Sequence, residues 1–274
     1  MNIKTLIKGS LALSPAFLVR VARSGHRDAT QRLCTAYQVI DPFGPVKSIR
    51  ESCLSPDACH PLVSRIAAAF CVRRGLEIGP GDTPQCDPSR TEFLDKHGDR
   101  YNCPHKIDMV GDADRIPRPD CDYDFVFSSH CLEHMPDTIR TLEEWKRVLK
   151  HGGFLVLILP HCERTFDRGR PLTTLEHHLK DYDNRVGAYD FTNWDDFEAY
   201  SIKQYDHVWL KDPASRRPDG TIDRDWVVEQ NHLHYHVWTQ NEIVRVLIYR
   251  GMTICYVVDQ CEDRRDSFAV VAQK

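Results

Sequence analysis

Two strongly apolar runs, YDFVFSSH (123–130) and FLVLILP (154–160), flank an amphipathic stretch, TIRTLEEWKRVLK (138–150), and together they limit the chain to few folds. Runs this continuous belong to strands buried on both faces, as in a parallel sheet with helices on each side; a sheet with one wet face would alternate. Gly152 and Gly153 follow the amphipathic stretch and predict its C-terminal stop.

The same alternation starts earlier in the chain. LVSRIAAAFCV reads as a helix, GLEIG as a short buried strand ending at glycine, TEFLD (91–95) as a second strand and KIDMVGD (106–112) as a third. After residue 160 the rhythm breaks, and residues 161–238 are rich in charge, histidine and aromatics. It resumes with TQNEIVRVLIYRG, a helix capped by Thr239 and stopped by Gly251, and closes with MTICYVVD (252–259) and SFAVVAQK (267–274), which read as a hairpin. The expected organisation is α/β: an N-terminal extension over 1–60, a Rossmann-like core over 61–160, an insertion over 161–238 covering the acceptor, and 239–274 completing the core.

Lys and Arg number 36 against 40 Asp and Glu, a net charge of −4, and no basic block stands out; nucleic acid is not an expected partner. The eleven cysteines form no CxxC pair, which predicts reduced thiols and a cytoplasmic chain, and no residue is assigned to a metal. The N-terminal stretch carries Lys4, Lys8, Arg20 and Arg23 among apolar residues broken by Pro15. It reads as a helix packed on the domain, with peripheral contact at the inner membrane face as the alternative, and not as an integral membrane segment.

Glu77-Ile78-Gly79-Pro80-Gly81-Asp82 directly follows an apolar strand, and its glycines let the backbone turn tightly against a ligand. A dinucleotide-binding GxGxxG would need glycine where Pro84 stands, which argues against pyrophosphate on this turn and against a nicotinamide-dependent oxidoreductase. Acids recur at the carboxyl ends of the strands, where open α/β sheets bind ligands. Asp95 is placed to accept from ribose hydroxyls, Asp112 from an adenine amino group, and Glu77 suits an ammonium.

LEIGPGDTP, VGDADRIP, YDFVFSSHCLEHMPD and LEEWKRVLKHGGFLVLILP, spread over residues 74–160, resemble the class I S-adenosylmethionine-dependent methyltransferases, particularly the type 11 group. The resemblance implies a seven-stranded sheet, parallel but for its last strand, and S-adenosylmethionine as cofactor. It implies that Gly79 and Gly81 approach the cofactor, Asp95 holds the ribose, Asp112 with Ala113 frames the adenine, and Ser129, His130 and Cys131 lie near the methionine moiety. Thr83 stands where the family has a third glycine, which leaves the loop shape open. His134 occupies a position common across the family and is expected to be structural.

Methyl transfer to a hydroxyl needs a group to take the proton. The insertion offers His177 and the run Asn231-His232-Leu233-His234-Tyr235-His236, in which alternation would put three histidines on one face. His236 with His234 is the first choice for the base, because these residues directly precede the returning core helix, and His177 the next. The stretch Thr165 to His177 is similar to a segment of bacterial methyltransferases encoded near glycosyltransferases, which implies a saccharide or glycan hydroxyl, as in polysaccharide biosynthesis. The alternatives are a small-metabolite, lipid or quinone acceptor, and a non-catalytic S-adenosylmethionine-binding partner subunit. Oligomeric state stays open.

Overall fold

The computed structural model describes residues 62–274 except Asp206, and the expected extension over 1–60 lies outside them, together with its proposed membrane contact. The elements, in chain order, are α1 (Leu62–Phe70), β1 (Gly75–Ile78), β2 (Thr91–Asp95), β3 (Met109–Val110), β4 (Tyr123–Ser129), α2 (Thr138–Val148) and β5 (Leu149–Pro160). There follow α3 (Leu175–Asn184), α4 (Arg224–Glu229), α5 (Gln240–Tyr249), β6 (Thr253–Val258) and β7 (Ser267–Gln273), with short helical turns between α3 and α4. The strands form one seven-stranded sheet in the order β3-β2-β1-β4-β5-β7-β6. The first five are parallel, and β7 runs antiparallel to both β5 and β6.

Both faces of the sheet are covered, which explains the apolar continuity of β4 and β5. Tyr123 and Val126 of β4 and Leu155, Leu157 and Leu159 of β5 pack with Leu142 and Trp145 of α2 and Val246 and Leu247 of α5. Phe125, Phe127, Phe154 and Val156 face the opposite layer with α1, where Phe70 meets Phe154 edge-on at 5.5 Å. Gly75 lies under the Phe125 ring: a Cβ there would come within 2.1 Å of it. Gly75→Ala is therefore expected to overpack the site and cost about 1–3 kcal/mol, read by denaturant unfolding.

Two expectations change in detail. Gly152 and Gly153 do not stop the helix; α2 ends at Val148, and Leu149 already pairs with Tyr123. The partner then jumps from Leu149 to Phe154 between Tyr123 and Phe125, so the glycines sit in an irregularity of β5. A Cβ at Gly153 would lie 2.9 Å from the Lys150 carbonyl oxygen and 3.0 Å from that of Asp124. The third strand shrinks to Met109–Val110 because only two residues find partners on β2. Thr239 caps α5 as expected, in a reciprocal arrangement with Glu242, and Gly251 follows with φ 70°.

Between β5 and α5 the chain builds a cover with its own apolar centre of Trp194, Phe197, Ile202, Val227, Leu233 and Tyr235. Its last segment returns along the turn after β4, where Tyr235 N donates to the Glu133 carbonyl at 2.9 Å. Among the described residues no helix is long and apolar enough to cross a membrane.

Candidate active site

The turn after β1 carries Gly79 at φ 67° and Gly81 at φ 54°, in the left-handed region that glycine enters without strain. A Cβ on Gly81 would meet nothing within 4 Å, so the turn borders open space. A Cβ on Gly79 would lie 3.2 Å from that of Cys131, so the turn abuts the chain leaving β4. Glu77 departs from the expected contact with an ammonium. Its side chain is buried, and Oε1 accepts from Gln85 N and Oε2 from Cys86 N, each at 2.9 Å, so the carboxylate closes the glycine turn from behind.

At the end of β2, Asp95 is buried and its Oδ1 accepts from His97 N at 2.8 Å; Oδ2 takes no hydrogen bond from the described residues. Past β3, Asp112 is exposed and Ala113 buried, and the Ala113 carbonyl accepts from Trp145 Nε1 at 2.9 Å. Ile116 N donates to Glu144 at 2.7 Å, so α2 holds this ledge at two points. Gly79, Gly81, Asp95, Asp112 and Ala113 thus line the carboxyl edge of β1 to β3, and the open glycine turn beside the part-free Asp95 carboxylate fits an adenosyl group. Ser129 and His130 are held otherwise: Ser129 Oγ accepts from Arg264 at 3.0 Å, and His130 Nε2 lies 2.7 Å from Ser267 Oγ.

Beyond the ends of β4 and β5 opens a pocket of about 180 Å³ lined by His130, Glu133, His134, Pro160, Phe166 and His234, among others. His234 is held firmly. Its Nδ1 lies 2.6 Å from Asp167 Oδ2, while Asp167 Oδ1 accepts from Arg170 and from Ser201 Oγ, each at 2.8 Å. Arg170 also donates to the His234 carbonyl at 3.0 Å. Burial alone would raise the Asp167 pKa, but His234 and Arg170 outweigh it and hold the carboxyl well below its usual range. The ionised carboxylate accepts a hydrogen bond from Nδ1, which fixes the ring with Nε2 turned away from Asp167.

His134 is oriented in the same way, its Nδ1 2.9 Å from the Leu233 carbonyl oxygen, and its pKa is driven well below the usual value mainly by burial. Glu133 is wholly buried, and among the described residues neither carboxylate oxygen has a hydrogen-bond partner, although His130 Nδ1 lies 3.6 Å from Oε1. Desolvation pushes its pKa up to about 7, opposed by nearby His234. One ligand atom from each of Glu133, His134 and His234 lies within 4.8 Å of the others. The pocket therefore converges a carboxyl group and two imidazoles and invites a polar ligand or a cation.

A glutamate with an ordinary pKa of 4.5 when exposed and about 7 in the fold keeps its proton in the folded state after the unfolded chain has lost it. The folded state then binds more protons, so Glu133 lowers stability progressively as pH rises from 4.5 to 7, by roughly 3 kcal/mol in full. Glu133→Gln should stabilise the protein at pH 8 by an amount of that order and be near neutral at pH 4.5. Paired denaturant titrations at the two pH values measure it.

The three histidines chosen as bases separate. His234 faces the pocket, but His236 is enclosed, with Nδ1 3.2 Å from Thr138 Oγ1 and Nε2 3.0 Å from Asp181. His177 joins the same carboxylate at 3.2 Å, outside the pocket lining. His232 stacks on Trp209 at 5.0 Å. The segment from Asn231 to Thr239 pairs with no strand, so the alternation assumed for it does not put its histidines on one face. Glu133, unassigned from sequence, and His134, expected to be structural, both line this pocket. The available signal was their place directly after a strand's carboxyl end, the edge where ligands bind.

Sheet order and the reversed β7 are those of the class I methyltransferase fold. Residues 83–157 match the family described as "Methyltransferase domain". Ajmaline N-methyltransferase of Rauvolfia serpentina is 38% identical over 77 residues, 28% of this chain and 24% of its own length. Demethylmenaquinone methyltransferase of Staphylococcus saprophyticus is 42% identical over 55 residues, 20% of this chain and 24% of its own. The chain thus spans about a quarter of the length of these curated relatives. A solved S-adenosylmethionine-dependent methyltransferase from Thermotoga maritima, described as a possible histamine N-methyltransferase, aligns over 95% of this chain and 97% of its own, at 12% identity and a TM-score of 0.42. The matched domain and the fold imply S-adenosylmethionine as the cofactor.

Proposed function

We propose that the protein transfers a methyl group from S-adenosylmethionine to a hydroxyl of a polar small molecule, with a sugar or glycan hydroxyl as the favoured class. The observation that carries this reading is the buried Asp167–His234 pair, which opens on the pocket beyond the ends of β4 and β5. When bound, the cofactor supplies an electrophilic methyl carbon on a sulfonium. Gly79 and Gly81 would lie against it, Asp95 would hold its ribose, and Asp112 with Ala113 would frame its adenine. Glu77 would act indirectly, by fixing the glycine turn.

The chain's part in the chemistry is to position the acceptor and remove one proton. His234 Nε2 takes the hydroxyl proton as the oxygen attacks, and the Asp167 carboxylate stabilises the imidazolium that forms. Glu133 and His134 Nε2 accept from neighbouring hydroxyls, which suits a polyol better than an apolar quinone or lipid. The test is incubation with S-adenosylmethionine and a panel of saccharides, amines and phenols, followed by mass spectrometry. A methyl-sized mass gain on saccharides, lost in His234→Ala, supports the reading. Gain confined to amines or to apolar acceptors would overturn the acceptor class.

A further inference from the structure

His177, Asp181 and His236 form a second cluster, separate from the pocket, in which one ligand atom of each lies within 4.8 Å of the others. We propose that it is a binding site for a borderline divalent cation of the zinc type. Asp181 Oδ2 stands 3.0 Å from His236 Nε2 and 3.2 Å from His177 Nε2. Separations of this size are what three atoms of one tetrahedral shell show when each is about 2.0–2.2 Å from the ion. Two imidazole nitrogens and a carboxylate oxygen suit zinc, and a half-exposed His177 leaves a coordination position open to water.

The surroundings prepare these atoms as ligands. Thr138 Oγ1, 3.2 Å from His236 Nδ1, can accept the Nδ1 proton and leave Nε2 its lone pair, the outer hydrogen bond that metal-bound histidines usually make. Asn193 Nδ2 is oriented by donating to the Tyr235 carbonyl at 3.0 Å, and it also lies 3.3 Å from His177 Nε2. Asp181 Oδ2 is thus shared by both imidazoles, and a cation bound among the three atoms would take the place of the protons between them. Beside the cluster, His178 is wholly buried with neither ring nitrogen hydrogen-bonded among the described residues, its ring centre 4.7 Å from that of His236.

The ion would tie α3 to the segment that returns to α5. That segment also carries His234, two residues before His236, so the site would fix the register of the pocket's imidazole. The inference does not rest on the proposed methyl transfer.

The test uses tag-free full-length protein, stripped with chelator and titrated with Co²⁺ while its visible absorption is followed. The expected result is a tetrahedral-type band saturating at a single equivalent, bleached by Zn²⁺, with a rise in melting temperature on adding Zn²⁺. Both signals should disappear in His177→Ala and in Asp181→Asn and persist in His134→Ala. Far-UV circular dichroism of each stripped variant establishes that it is folded. Absence of band and shift in the wild type would overturn the proposal. A band that survives in His177→Ala and vanishes in His134→Ala would overturn it too, by placing the ion in the acceptor pocket.

Discussion

Replacing His234 with alanine is expected to lower kcat by roughly a hundred- to ten-thousand-fold, the range for losing a positioned general base. Affinity for S-adenosylmethionine should be unchanged, because His234 lies with the pocket beyond β4 and β5 while the glycine turn lies beyond β1. The reason for so large an effect is the care taken to hold this ring. Asp167 fixes its Nδ1, and Arg170 clamps both Asp167 and the His234 backbone. Asp167→Asn should also reduce kcat, because a neutral amide neither fixes the tautomer nor stabilises the imidazolium as the carboxylate does. Steady-state kinetics on both variants, with calorimetric titration of the cofactor as the control, separate loss of chemistry from loss of binding. Unchanged kcat in His234→Ala would remove it from the base role.

The second large effect is expected at the glycine turn. Gly81→Arg should weaken S-adenosylmethionine binding by about two orders of magnitude or more, equivalent to roughly 3 kcal/mol. Two causes act together. At φ 54° a side chain is strained, by about 1–2 kcal/mol, and it would extend into the open space that a Cβ at this position faces. Because that Cβ meets no protein atom within 4 Å, the fold should tolerate the change with only the backbone cost. Calorimetry reads the affinity, and thermal unfolding shows whether the loss is local.

The sequence reading succeeded where local pattern and global fold coincide. The apolar continuity of β4 and β5 reflects two covered faces, with Leu142 of α2 in the layer on one side and Phe70 of α1 in the layer on the other. Thr239 was legible as a cap because a cap residue sits directly before its helix; the structure adds Glu242, which completes the reciprocal pair. Gly152 and Gly153 misled because helix stops and strand irregularities use glycine for the same conformational freedom, and only the pairing of Leu149 with Tyr123 distinguishes them.

The pocket beyond β4 and β5 was the least legible. Asp167 and His234 are separated by 67 positions, and His134 meets Leu233 across 99, so no spacing rule joins them. Glu133 gains its character from complete burial, which its neighbours in sequence do not announce. His232, His234 and His236 look equivalent as a repeat, yet an aromatic stack, an Asp–Arg clamp and a second carboxylate take one each.

Calorimetric titration of the full-length protein with S-adenosylmethionine and S-adenosylhomocysteine tests the central claim most directly. Saturable binding of both in the micromolar range, abolished by Gly81→Arg in folded protein, is the predicted result. No heat of binding from folded wild-type protein, or binding indifferent to Gly81→Arg, would contradict the assignment of the glycine turn to this cofactor.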